Sequence, residues 1–146
     1  MTAGYSGTPL GKKLGYHAGL RILISDMPDA IRHEIEQSIG AKPDWLRIPE
    51  AELPAVHLFV VRRDDLESKL AGVLTLLDPA GLIWVSWPKK ASNVPTDITE
   101  DVIRDVCLPM GLVDVKVCAV DATWSGLKLV VRRQNRDVRP QAGRPA

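Results

Sequence analysis

Residues 78–90, DPAGLIWVSWPKK, hold a helix stop, a buried strand and a cationic strand end in one short stretch. Pro79 and Gly81 cannot continue a helix. The run LIWVSW at 82–87 is apolar and rich in the residues a sheet interior prefers. Pro88 then ends the ladder, because it has no amide hydrogen to donate. Lys89 and Lys90 follow at the carboxyl end of that strand, which is where ligands sit in an open α/β sheet. Upstream, Leu66, Leu70, Val73, Leu74 and Leu77 recur at spacings of three and four. That stripe predicts an amphipathic helix with Asp64 or Asp65 as its cap.

Outward from this core the pattern repeats. Downstream, KKASNVPTD reads as a loop, and Asp97 with Glu100 has the form of a capping box. The helix it opens carries Ile98, Val102, Ile103, Val106 and Met110 on one face and stops at Gly111. Val113, Val115, Val117 and Ala119 alternate with more polar neighbours, as do Leu127, Leu129 and Val131 after DATWSG, which predicts an antiparallel hairpin. Toward the N-terminus, VHLFVV at 56–61 and RILIS at 21–25 are further buried strands. Ile31, Ile35 and Ile39 mark a helix ending at Gly40. Between them, AKPDWLRIPEAELP holds three prolines and reads as a connection with one turn.

The order strand, helix, strand, helix, strand, helix, hairpin predicts an α/β fold. Its sheet is mostly parallel and Rossmann-like, with helices on both faces and a C-terminal antiparallel hairpin. Residues 1–19, with Gly4, Gly7, Gly11, Gly15, Gly19 and Pro9, read as a glycine-rich arm with one helical turn. Residues 20–133 form the single α/β domain, and 134–146 a disordered tail with little to bury.

Composition narrows the function classes. A chain of 146 residues that is 45% hydrophobic can build one real core. With 19 basic and 18 acidic side chains, its overall field offers nucleic acid and anionic membranes no general attraction. The GKK at 11–13 and the arginine-rich tail are not accompanied by an aromatic stacking platform, so no nucleic-acid partner is expected. No apolar run approaches the roughly 20 residues of a membrane span. The N-terminus lacks the apolar core of a secretory signal, so the expected compartment is the cytoplasm. Cys107 and Cys118 read as small buried side chains. His17, His33 and His57 share no ligand spacing, so no metal is expected. There is neither a nucleophile elbow nor a phosphate loop.

Two resemblances add to this reading. DPAGL followed by a strand, a helix and a terminal hairpin resembles the C-terminal half of class I methyltransferases, which implies a shortened three-layer sandwich. Those enzymes bind S-adenosylmethionine through a glycine-rich turn after the first strand. The corresponding turn here, SDMPDA, has no glycine, so no cofactor is expected. The interval between 25 and 56 is also too short for the two further strand and helix pairs of the full fold. Over nearly the whole chain, GYSGTPLGKKLG, LIWVSWPKKAS, TDITEDVIRDV and LVDVKVCAVDATWSGLKLVVRR are similar to the bacterial family known as domain of unknown function 3052. That resemblance implies a single fold and brings no activity with it.

The site expected from the residues is Lys89, Lys90 and Ser92 with Trp124. Two ammonium groups and a hydroxyl can hold a phosphate or carboxylate, and an aromatic in the hairpin turn can cover it. Tyr5 or Tyr16 would close over it if the arm folds across the crevice. The function expected is a non-catalytic binding or regulatory module for a small anionic ligand or a protein partner. One alternative is a small transferase or hydrolase acting on a phosphorylated substrate, with Lys89 or Lys90 stabilising charge and Asp97 or Asp121 as base. Others are a degenerate methyltransferase and a purely structural partner subunit.

Overall fold

In the computed structural model, which describes residues 7–132, the apolar runs become the strands of one sheet. The elements are α1 (Leu10–Leu14), β1 (Arg21–Ser25), α2 (Asp29–Ile39), β2 (Asp44–Leu46), β3 (Leu53–Phe59), α3 (Arg63–Leu74), β4 (Leu77–Pro88), α4 (Glu100–Cys107), β5 (Leu112–Ala119) and β6 (Trp124–Val131). The sheet order is β2-β1-β3-β4-β6-β5. The first four strands are parallel neighbours, and β6 runs antiparallel to both β4 and β5. Tyr5 and the tail from 134 onward lie outside the described residues.

Helices cover both faces, as a largely parallel sheet requires. On one face α1 and α2 bring Leu10, Leu14, Ile31 and Ile35 onto Ile22, Ile24 and Trp84. On the other, α3 and α4 bring Leu66, Leu70, Ile103 and Val106 onto Val56, Leu58, Ile83 and Leu129. The alternation of side chains along a strand divides them: Trp84 packs in one core and Trp87 in the other. The mostly parallel, Rossmann-like sheet with its C-terminal hairpin and three layers is therefore the fold.

Local structure corrects three sequence expectations. The proline-rich connection contains a strand, β2, which pairs Asp44, Trp45 and Leu46 with Arg21, Ile22 and Leu23. The helix expected to run to Pro79 ends at Leu74, and β4 already begins at Leu77. Leu77 pairs with Leu53 and Leu82 with Ala55, so residues 78–81 bulge out between the two. Pro79 is tolerated there because a bulge needs no ladder bond from it. Finally, α3 starts at Arg63 with Asp64 and Asp65 in its first turn, and its first amide is capped by Asp97 Oδ1 at 2.7 Å from 34 residues away. The helix that Asp97 was expected to cap begins instead behind Thr99, whose hydroxyl accepts from the Val102 amide at 3.2 Å.

Candidate functional site at the carboxyl edge of the sheet

Topology locates the place where a ligand would sit. After β1 the chain passes through α2 to β2, and after β3 it passes through α3 to β4, toward opposite ends of the sheet. β1 and β3 are thus neighbours whose connections diverge, the switch point at which open α/β sheets bind ligands outside the strand ends. The sequence reading missed this, because without β2 the order of strands cannot be known.

The turn at the end of β1 is Ser25-Asp26-Met27-Pro28. Asp26 takes the left-handed conformation with φ 60°, which Asp tolerates better than most side chains. Its Oδ2 accepts from Lys69 Nζ at 2.8 Å, and Lys69 is also 3.2 Å from Asp65. Burial works against the Lys69 charge, but its hydrogen bonds to these two carboxylates outweigh it and raise its pKa. Met27 is buried in the α1/α2 core. Pro28 is the N-cap residue of α2 and has no amide to offer.

Beside this turn a cleft of about 330 Å³ opens between α3, the end of β1 and the segment that follows β2. Leu23, Ile24, Pro49, Leu58, Val73 and Leu76 are its apolar lining, with Pro49 and Leu76 the more open and the others part of the buried cores, while Ser25, Arg47, Ser68 and Lys69 supply polar groups. It exists because residues 47–52 cross from β2 to β3 without a helix. Arg21 pins that crossing: Nη1 donates to Glu50 Oε1 at 2.9 Å and Nη2 to the Glu52 carbonyl at 3.1 Å. Arg47 is exposed and has no ion pair or side-chain hydrogen bond among the described residues.

Lys89, Lys90, Ser92 and Trp124 come together further along the same edge. The Lys89 amide donates to the Thr123 carbonyl at 2.7 Å, and Pro88 is the register partner of Trp124. Ser92 Oγ donates to the Lys89 carbonyl at 2.6 Å and accepts from the Val94 amide at 3.2 Å, which commits it to the 3-10 turn. Trp124 opens β6, half-buried, with its ring edge-on to Phe59 at 4.9 Å. The two candidate bases are engaged as well. Asp121 Oδ1 accepts the amides of Thr123 and Trp124 at 2.8 Å each, and Asp97 holds the start of α3.

A buried polar chain lies beneath this edge. Tyr16 Oη is 2.9 Å from His57 Nδ1, and His57 Nε2 is 2.7 Å from Ser86 Oγ. His57 and Ser86 have no exposure and Tyr16 only 4%, so none of the three can meet a substrate. Burial lowers the imidazole pKa to about 3 and raises that of the Tyr16 phenol. A neutral ring with one donor and one acceptor nitrogen satisfies both hydroxyls. Sequence gave no sign of this set, whose members are 41 and 29 residues apart. Among the described residues no group of three His, Cys, Asp or Glu could hold a metal.

The family described as Protein of unknown function (DUF3052) matches residues 23–133, most of the chain. This chain belongs to that family. No curated protein matches the DUF3052 chain in sequence. Solved structures do match its fold. A TehB-like S-adenosylmethionine-dependent methyltransferase from Corynebacterium glutamicum is 12% identical with a TM-score of 0.51, over 89% of this chain and 91% of that one. A methyltransferase from Aquifex aeolicus is 9% identical with a TM-score of 0.59, over 86% and 94%. Magnesium protoporphyrin IX methyltransferase from Synechocystis, solved with S-adenosylmethionine bound, is 13% identical with a TM-score of 0.52, over 84% and 74%. Identities this low show a shared fold and no more. The likeness spans nearly all of the first two structures, and so extends beyond the C-terminal half suggested by sequence.

The cofactor of those enzymes does not fit the DUF3052 edge. The β1 turn has no glycine through which a backbone could approach a nucleotide, Asp26 is tied to Lys69, and Met27 is turned into the core. In nucleotide-binding sheets an acid near the end of the second strand accepts from the ribose hydroxyls. Arg47 follows β2 here, and a guanidinium has no acceptor.

Proposed function

We propose that this protein is a non-catalytic cytoplasmic binding module that holds a small anionic ligand at the carboxyl edge of its sheet. One observation carries the reading: at that edge the carboxylates are committed to structure and cations are left over. Asp26 serves Lys69, Asp97 the α3 amide, and Asp121 the hairpin turn. Arg47, Lys89 and Lys90 have no ion pair among the described residues. A chain of formal net charge +1 can thus present local positive potential. Lys89 and Lys90, backed by Trp124 and by the turn that Ser92 closes, are one place for the anion, and Arg47 is the other. Two free thiols suit a reducing compartment, and no helix among the described residues is long and apolar enough to cross a membrane.

The test is a thermal-shift titration with phosphate, sugar phosphates, nucleotides, coenzyme A, aliphatic carboxylates and the adenosyl compounds. A ligand at a hundredfold excess over its Kd adds about 2.7 kcal/mol to stability. We expect a saturable shift for an anion and none for its neutral counterpart, with loss of the shift on Lys89→Ala/Lys90→Ala or on Arg47→Ala identifying the site. A shift with S-adenosylmethionine would restore the degenerate methyltransferase alternative. No shift with any compound would reject the small ligand and favour a protein partner.

A further inference from the structure

The edge cations differ in what lies beside them. Lys90 is exposed at a turn, whereas Arg47 lies at a cleft whose volume of about 330 Å³ is within the range of small-molecule sites. Resting on the anion-binding reading, we propose that this cleft takes an aliphatic carboxylate. Arg47 holds the carboxylate, and the apolar lining around Pro49, Val73 and Leu76 takes the chain.

Each part has a physical ground. The guanidinium fork matches a carboxylate in two parallel hydrogen bonds, and Arg47 has no partner among the described residues to give up. Lys69, the other cation lining the cleft, is already matched by Asp26 and Asp65, which directs the head group to Arg47. The apolar surface is aliphatic, with no aromatic ring in the lining against which a planar base could stack.

Gly72 supplies an independent observation. It lies within α3, where glycine is unfavourable in a helix, and nothing stands within 4 Å of where its Cβ would be. No close approach demands a glycine there. Gly72 also lines the cleft, so a large residue at this position would stand at the cleft's wall with no contact against its Cβ.

The experiment uses the full chain and octanoate, with octylamine and octan-1-ol as partners of matched length, read by calorimetric titration and thermal shift. Wild type should bind octanoate saturably and octylamine not at all. Arg47→Ala should weaken octanoate by roughly tenfold or more, the loss of a charge-assisted contact. Gly72→Leu should abolish binding while melting no lower than wild type, which separates a filled cleft from a misfolded protein. Lys12→Ala, at an exposed position of α1 on the opposite face of the sheet, should bind octanoate as wild type does. Equal binding of octylamine, or octanoate binding that survives both Arg47→Ala and Gly72→Leu, overturns the assignment. If octanoate fails but phosphate gives a shift that Lys89→Ala/Lys90→Ala loses, the cleft is wrong and the anion-binding function stands. If no anion binds, both fall.

Discussion

His57 carries a titratable ring where water cannot follow it, and this makes acid stability a direct readout of the core. Burial pushes its pKa in the folded protein down to about 3, from an ordinary 6.5. Above 6.5 the ring is neutral in both states and contributes no pH dependence. Between the two values only the unfolded chain takes the proton, so stability falls as pH drops, by up to about 1.4 kcal/mol per pH unit. Below about 3 both states are protonated and the slope ends. Urea denaturation across this window should show a steep loss in wild type and a shallower one in His57→Gln, and identical slopes would refute the buried neutral ring. Ser86→Ala should cost about 1–3 kcal/mol at neutral pH by stranding the ring nitrogen 2.7 Å from Ser86 Oγ. None of this could be read from the sequence. The histidine in VHLFVV is visible as a strand residue, but its partners reach it only through strand pairing and the packing of α1.

At the scale of elements, two glycines should respond in opposite senses. Gly72→Ala should stabilise by about 0.5–1 kcal/mol, because its Cβ enters open space on a helix. Gly81→Ala should destabilise by about 1–3 kcal/mol, since a Cβ there stands 2.9 Å from the Leu53 carbonyl and 3.0 Å from that of Asp78, both backbone atoms. Thermal melts of the two variants check the pair. Thr99→Ala should cost about 1 kcal/mol as the lost cap of α4, and Asp97→Ala should loosen α3 instead, seen as faster exchange of the Arg63 amide. Where an apolar period ran for several turns or a full strand, the sequence showed the element. It failed at β2, where three residues beside Pro43 are too few to show any period. It failed too at the caps, where a carboxylate serves a helix distant in sequence and a local motif such as the Asp97/Glu100 spacing misleads.

For the whole molecule, the alternation of strands and helices was enough to give the layers and a mostly parallel sheet, because few arrangements bury such a set. The site was not legible in the same way. Lys89 and Lys90 announced themselves by adjacency, whereas the cleft is assembled from β1, β3, α3 and the crossover at 47–52, which lacks a helix. A methyltransferase-like fold without a matching cofactor turn predicts no stabilisation by S-adenosylmethionine, checked in the same titration as the anions. The three-residue strand β2 carries one more consequence. It lies at the rim of the sheet, with β1 as its only neighbouring strand among the described residues, so its hydrogen bonds should open in local fluctuations far below the global unfolding free energy. Deuterium should reach Trp45 and Leu46 early and the central Val56 and Leu58 last. Because β2 leads directly into Arg47, a ligand bridging that arginine and the surface of β1 should slow exchange at this margin before it changes protection anywhere else.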